Sequence, residues 1–195
     1  MAFKLIEEFS FESRDNLFII DTKPLPLLER QRANRSILVK IFRNWRINPS
    51  YGYCASRNLK YFGFKLVALW NNGSIVCYTL VSANISEQQC LMELFRRHNL
   101  CNINIFGDKG FILNQDDKKE LMLKNVIVEA IPRKNMKVII DKLSYKKYRR
   151  KNIESCFSIL KEFDIENITF RSIFGISCSI NNRVLAYNLK SKIKA

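Results

Sequence analysis

Histidine is almost absent from this sequence of 195 residues. The single histidine, His98, lies in the segment LFRRHNL at the polar end of a predicted helix, which is typical of a solvated side chain. One histidine gives little support to a Ser-His-Asp or Cys-His nucleophile pair and none to an H-E-x-x-H metal site. The motifs GxGxxG and GxxxxGK[ST] do not occur, so no nucleotide cofactor is predicted. For catalysis, the sequence therefore offers carboxylates.

Closely paired cysteines and long apolar runs are also missing. Six cysteines are present, but no two are spaced as C-x-x-C, so a zinc site is not expected. Most of them lie in apolar surroundings, which is typical of reduced thiols in a core. No run approaches the roughly 18 to 20 apolar residues that span a bilayer, and the first residues do not resemble a signal peptide. We expect a cytoplasmic protein with no membrane partner.

Basic residues outnumber acidic ones by a wide margin. Lys and Arg number 33 against 18 Asp and Glu, which gives a formal charge of +15. Such a charge attracts polyanions, with nucleic acid as the first candidate and an anionic membrane surface as the second. The alternative is a lysine-rich, isoleucine-rich and asparagine-rich composition of the kind that AT-rich bacterial genomes encode regardless of function. The length predicts one globular domain with a substantial core.

Short apolar runs and turn signals predict an α/β domain. Five strands are expected at 17–22, 61–70, 75–82, 103–107 and 126–132. Pro24 and Pro26 are expected to stop the first strand, and the turn Asn71–Ser74 joins the second to the third. Helices are expected from the cap Ser86 to about Arg97, at 116–125, after residue 150 and between 173 and 189. This order favours a mixed sheet covered by helices.

Acidic residues stand at the ends of two predicted strands and on the long helix. Asp21 ends the first strand in IIDTKPLPL, and Asp108 ends the fourth in IFGDKGF. The carboxyl ends of neighbouring strands meet at one edge of such a sheet, so we expect these two acids to lie together. Glu154, in RRKNIESCFSILKEF, borders the apolar stripe of its helix and could complete a cluster. From periodicity alone, a salt bridge with Arg150 explains Glu154 better, and a turn-forming role is the alternative for Asp21.

Four segments, in this order and spacing, resemble the catalytic domain of DDE transposases from bacterial insertion sequences. They are IIDTKPLPL, YGYCASRNLKYFGFKL, IFGDKGF and RRKNIESCFSILKEF. The resemblance runs from about Leu17 to Leu189 and implies an RNase H-like fold, with a mixed five-stranded sheet flanked by helices. It also implies that Asp21, Asp108 and Glu154 are catalytic and hold two Mg²⁺ or Mn²⁺ ions.

The same resemblance implies DNA contacts around the acidic site. Arg150 and Lys161 are similar to the arginine and lysine that bracket the family's glutamate. Two positions depart from the family: Lys147 replaces a tyrosine, with Tyr148 one place later, and Phe111 replaces another. Further DNA contacts are expected at basic residues elsewhere, which are Lys109, Lys65, Arg30, Arg32 and Arg35. Two basic stretches, residues 30–46 and 134–151, are expected to follow the DNA backbone. Three aromatic residues within them either stack on unpaired bases or pack in the core: Trp45, Tyr145 and Tyr148.

The implied catalytic domain spans 17–189. Residues 1–16 are expected to be the remnant of a helical DNA-recognition region, and 190–195 a basic tail. Because only twenty residues precede Asp21, we expect a shortened copy or one half of a frameshifted product. The implied activity is metal-dependent DNA cleavage and strand transfer at transposon ends and target DNA, performed by a homodimer on DNA. Two alternatives stay open: a non-catalytic DNA-binding remnant, and an RNase H-like nuclease with another role.

Overall fold

A mixed sheet with helices on both faces forms the centre of the molecule. The structure is a computed structural model, which describes residues 16–33, 35–42, 48–131, 143–165 and 172–193. The description covers the backbone alone for 143–150 and for Arg30, Gln31, Leu38, Ile41, Phe42, Ser56 and Asn152. Within these ranges the predicted fold class is confirmed.

The described strands and helices alternate along the chain much as predicted. The strands are β1 (Leu17–Glu29), β2 (Ser50–Cys54), β3 (Leu59–Asn71), β4 (Ser74–Ser82), β5 (Ile103–Gly107) and β6 (Val126–Ala130). The helices are α1 (Arg30–Ala33), α2 (Ile37–Phe42), α3 (Glu87–His98), α4 (Gln115–Met122), α5 (Leu143–Glu162) and α6 (Ile173–Ile193). In the sheet, β1 is antiparallel to β3 and parallel to β5, which is in turn parallel to β6.

The sheet has a sixth strand, β2, that the sequence analysis did not predict. It pairs antiparallel with Leu59–Gly63 of β3, and β4 pairs with the rest of the same strand. No position of β2 is buried, so hydrophobic periodicity carries little signal there. The expected five-stranded sheet is therefore corrected to six strands.

The first strand does not stop at its prolines, which corrects a second prediction. β1 pairs with β3 as far as Glu29, with Pro24 opposite Lys65 and Pro26 opposite Gly63. The pairing of β1 with β5 ends at Ile19. Beyond that residue, the described part of the chain pairs β1 along one edge only, and a proline is tolerated when its missing N–H faces the other edge.

Residues of the central strands alternate between two cores. Ile19, Leu66 and Phe106 pack on one face, beneath α5 and α6. Ile20 and Val67 pack on the opposite face, which α3 and α4 cover. The predicted inner face of the long helix is confirmed, because the residues that it buries are Ile153, Cys156, Phe157 and Leu160.

Two local predictions are confirmed in detail. Asn72 and Gly73 have positive φ angles of 40° and 87°, as a tight hairpin turn requires. Ser86 caps α3 in a capping box with Gln89. At the other end of the chain, α6 continues past Leu189 to Ile193. The domain boundaries at 16 and 189 stay predictions.

A buried asparagine fixes α6 to the β3–β4 hairpin. The Asn188 side chain accepts a hydrogen bond from the Ile75 N–H at 2.9 Å and donates one to the Ile75 carbonyl at 3.0 Å. One residue earlier, the Tyr187 hydroxyl accepts a hydrogen bond from Trp70 Nε1 at 3.1 Å. These contacts satisfy polar groups that would otherwise be buried without partners.

Three of the six cysteines are buried as expected. Cys77, Cys90 and Cys156 lie in the core, whereas Cys101 is exposed and the other two are half-buried. All six are unbridged thiols. Burial raises the pKa of Cys77 to about 12, so this thiol is protonated at neutral pH. No helix among the described residues is long and apolar enough to cross a membrane.

Candidate active site

Asp21 lies within β1, two residues after the pairing of this strand with β5 ends and where the strand is still paired with β3. Its Cα is opposite that of Ala68 on β3, and Ala68 belongs to the core beneath α5 and α6. Residues directly opposite each other in a ladder point to the same face, so Asp21 points toward this helix-covered face. Its Oδ1 accepts a hydrogen bond from the Thr22 N–H at 2.7 Å.

Asp108 immediately follows β5 and lies at the level of Asp21. The parallel ladder pairs Ile19 with Phe106, and two further residues along each strand lead to the two aspartates. Phe106 packs beneath α5 and α6, and alternation gives Asp108 the same direction. Asp108 keeps an extended conformation, and its Oδ1 accepts the Lys109 N–H at 2.7 Å, which caps a short 3₁₀ turn.

Glu154 comes from the helix that covers this face. α5 packs against β1 and β5 and buries Ile153 and Phe157, which flank the glutamate in the helix. Glu154 itself is exposed. The side chain of Arg150 lies outside the described residues, so the predicted salt bridge between the two stays untested.

Asp21 and Asp108 share one face of the sheet and Glu154 is on the helix that covers it, but the three acids are not gathered into one cluster. In the described ranges, no three His, Cys, Asp or Glu side chains are arranged to hold a metal ion. Carboxylate oxygens are the ligands that Mg²⁺ and Mn²⁺ prefer, so the donor chemistry and the shared face fit such ions. The structure thus brings Asp21 and Asp108 together by strand register and leaves Glu154 on the adjoining helix.

A lysine that the sequence analysis passed over lies next to these acids. Lys23 is 3% exposed and is the one charged side chain buried in the described part of the chain. Its Nζ lies 5.7 Å from the centre of the Phe157 ring on α5. Burial raises the pKa of Cys156 to about 12, and the charge of Lys23 offsets part of this increase. The signal in the sequence is the spacing D-x-K on a strand, which puts both side chains on one face.

The loop after Asp108 is held by the first residue of α3. A Cβ placed on Gly110 would lie 1.2 Å from Oε2 of Glu87. Glycine is therefore required here for the Glu87 carboxylate to lie against the loop. Lys109, a predicted DNA contact, is exposed in this loop, and Phe111 is fully buried beneath it.

Lys65 lines a groove at the other end of β3. The groove has a volume of about 570 Å³, and its walls include Lys60, Tyr51 and Tyr53. The two tyrosines are 45% and 54% exposed, although the sequence analysis did not single them out. Lys65 is half-buried, and its Nζ donates a hydrogen bond to the Ile85 carbonyl at 2.7 Å.

The remaining predicted contacts are spread over the surface. Arg32 and Arg35 are exposed beyond the far end of β1, and Lys161 is exposed two turns after Glu154 on α5. His98 is exposed at the end of α3, as predicted, with Nε2 2.8 Å from the Tyr78 carbonyl oxygen. Other predicted side chains lie outside the described residues: Arg30, Arg150, Trp45, Tyr145 and Tyr148.

Transposases are among the solved structures that match this chain. A piggyBac transposase synaptic complex with hairpin DNA matches with a TM-score of 0.52 at 10% identity, over 92% of this chain and 49% of that chain. This chain thus spans about half of the piggyBac chain. The catalytic domain of Mos1 mariner transposase matches with a TM-score of 0.32 at 13% identity, over 97% and 89% of the two chains. A Mos1 mariner paired end complex with Mn matches with a TM-score of 0.31 at 12% identity, over 97% and 60%.

Sequence comparison identifies the family. No curated protein sequence matches the chain. The sequence pattern of the family described as "Transposase DDE domain" matches residues 12–173, which is most of the chain. The chain therefore belongs to the DDE transposase family.

Proposed function

We propose that this chain catalyses metal-dependent cleavage and strand transfer of DNA, with Asp21, Asp108 and Glu154 as the metal-binding carboxylates. The observation that carries the proposal is the register of β1 and β5, which gives two acids of a DDE-family domain the same level and the same face. A transposase needs such acids to converge although they are far apart in the sequence.

The chemistry explains why carboxylates are needed at this position. Water loses a proton and attacks a phosphodiester, and the 3′ oxygen leaves and takes up a proton. The freed 3′ hydroxyl then loses its proton and attacks a second phosphodiester, from which the 3′ oxygen of the target strand leaves and is protonated. The family uses divalent metal ions, and we propose two Mg²⁺ or Mn²⁺ ions, which would stabilise charge on the attacking and leaving oxygens. Asp21 suits this role because pairing of β1 with β3 holds its backbone in place.

The basic surface supports DNA as the partner. The formal charge of +15 favours a polyanion, and the structure of the similar piggyBac transposase is a complex with hairpin DNA. We propose that Lys65, Lys109 and Lys161 contact phosphates, together with Arg150 and the arginines 30, 32 and 35. Binding of transposon ends and target as a homodimer, in the cytoplasm, belongs to the same proposal.

One observation favours a second function, a DNA-binding domain without catalysis. The described side chains include no group of three that could hold a metal ion. If Glu154 cannot approach the two aspartates, the domain keeps its basic surface and lacks a complete site.

Nicking of supercoiled plasmid in Mg²⁺ or Mn²⁺ separates these functions. We expect Asp108→Asn to reduce the nicking rate by at least about 10³-fold, because it removes one carboxylate from the metal. Asp116→Asn is the matched control, since Asp116 is exposed on α4. Nicking that is unaltered by Asp108→Asn, in a chain that binds neither ion, would leave only the DNA-binding function.

A further inference from the structure

The position of Lys23 on β1 indicates a role at the site of the predicted acids Asp21, Asp108 and Glu154. Lys23 follows Asp21 by two residues on an extended strand, so the two side chains leave the same face with Cα atoms about 7 Å apart. Its Cα is opposite Leu66, which belongs to the core beneath α5 and α6. Lys23 therefore lies between the first acid and the helix that carries the third.

The burial of Lys23 is too costly to be accidental. Lysine is almost never fully buried unless it is paired, because moving an ammonium group from water into a core carries a large penalty. The Phe157 ring, 5.7 Å from Nζ, offers a cation–π contact, which offsets only a small part of that penalty. Opposite charge on the same face must offset the rest.

Two of the predicted acids are on the elements that carry and cover Lys23. Asp21 is two residues away along the strand, and Glu154 precedes Phe157 by one helical turn on α5. We propose that Lys23 is a positioning residue whose buried ammonium is the fixed counter-charge of the acidic face. It holds the carboxylates against their mutual repulsion and lowers the affinity of the site for a divalent cation.

This inference rests on the proposed metal-binding role of the carboxylates. It adds the direction in which metal affinity should change when Lys23 is replaced. Replacing Lys23 should change metal affinity in opposite directions, depending on whether this lysine only supports the fold or acts as a counter-charge. Removing a residue that only supports the fold would loosen the site and weaken metal binding. Removing a positive charge beside the site should strengthen binding, and for a separation of roughly 7 Å from a divalent cation Coulomb's law in water gives about five- to tenfold.

Calorimetric titration of the 195-residue chain with Mn²⁺ measures the direction of this change in affinity. We expect Lys23→Met to lower the Kd by about five- to tenfold, with Lys23→Gln shifting it in the same direction and Lys23→Arg staying within about twofold of wild type. Lys190→Met is the control for net charge, because Lys190 forms an exposed ion pair with Glu162, the last residue of α5. An unchanged or raised Kd in both neutral variants, or an equal decrease in Lys190→Met, would overturn the inference.

A metal-free measurement separates this inference from the proposed function. Unfolding by urea in EDTA is compared for Asp21→Asn, Lys23→Met and the double variant. Direct interaction of the two charges predicts non-additive changes, with a coupling of about fivefold or more in the unfolding equilibrium constant. Additivity within about twofold would refute the counter-charge whatever the chain does with metal. Clear coupling in a chain that binds no Mn²⁺ would instead refute the metal site and keep the ion pair.

Discussion

Ile19 pairs with Phe106 across the parallel β1–β5 ladder, and each is followed two positions later by an aspartate. The ladder thus brings Asp21 and Asp108 together across 87 residues of chain, which is the difference between their numbers. Both aspartates bond locally to the next backbone N–H. The backbone, more than any side-chain contact between them, therefore determines where this pair of acids lies.

The register predicts that both aspartates contribute to one metal site. We expect Asp21→Asn and Asp108→Asn each to weaken Mn²⁺ binding by at least about tenfold, since each removes a negatively charged oxygen ligand. Calorimetric titration measures the effect, with Asp116→Asn on α4 as the control. Glu154→Gln is the decisive variant: an equal loss shows that the glutamate joins the aspartates, and an unchanged Kd shows that it does not.

Much of the fold followed from the sequence because its signals were local. The turn at Asn72–Gly73, the cap at Ser86 and the buried stripe of α5 each depend on residues within a few positions of one another. The rule that strand ends meet at an edge predicted that Asp21 and Asp108 lie together. It applies to Asp108, which follows β5, whereas Asp21 does not end its strand as predicted, because β1 continues to Glu29. Family resemblance supplied the role of Glu154, which periodicity alone did not favour.

What the sequence did not predict depends on contacts between distant segments. β2 has no buried position, and it forms because it pairs with the edge of β3. Pro24 breaks most strands, yet here β1 pairs along one edge at that position. The burial of Lys23 depends on α5 lying over β1, and no local sequence pattern predicts it. Each of these features is decided by tertiary pairing rather than by intrinsic propensity.

Gly110 and Glu87 provide a test of the loop that follows Asp108. A methyl group on Gly110 overlaps the Glu87 carboxylate, so Gly110→Ala should displace that flexible carboxylate and destabilise the fold by roughly 1 kcal/mol, the low end of the cost of overpacking. Glu87→Ala removes the obstacle. We expect the double variant to be more stable than the sum of the single changes predicts, as measured by urea unfolding. Additive changes would show that Glu87 does not lie against the loop.

The buried amide of Asn188 should make a large contribution to stability. Truncation in Asn188→Ala leaves both the N–H and the carbonyl of Ile75 without partners in a buried environment. We expect a loss of about 2–4 kcal/mol in the free energy of unfolding, measured with urea. Asn182→Ala is the matched control, because Asn182 is exposed on the same helix, and its effect should stay within about 0.5 kcal/mol. Similar losses in the two variants would contradict the docking role of Asn188.

The groove beside Lys65 predicts that its tyrosines bind unpaired bases. Tyr51 and Tyr53 project from β2 about half exposed, with Lys60 and Lys65 beside them. Base stacking contributes about 1–3 kcal/mol per ring, so Tyr51→Ala and Tyr53→Ala should each weaken binding of a labelled single-stranded oligonucleotide about tenfold or more, measured by fluorescence anisotropy. Phenylalanine at either position keeps the ring and should keep the affinity. Loss of binding in the phenylalanine variants would assign the contact to the hydroxyl groups, and unchanged binding in the alanine variants would exclude this groove from the DNA path.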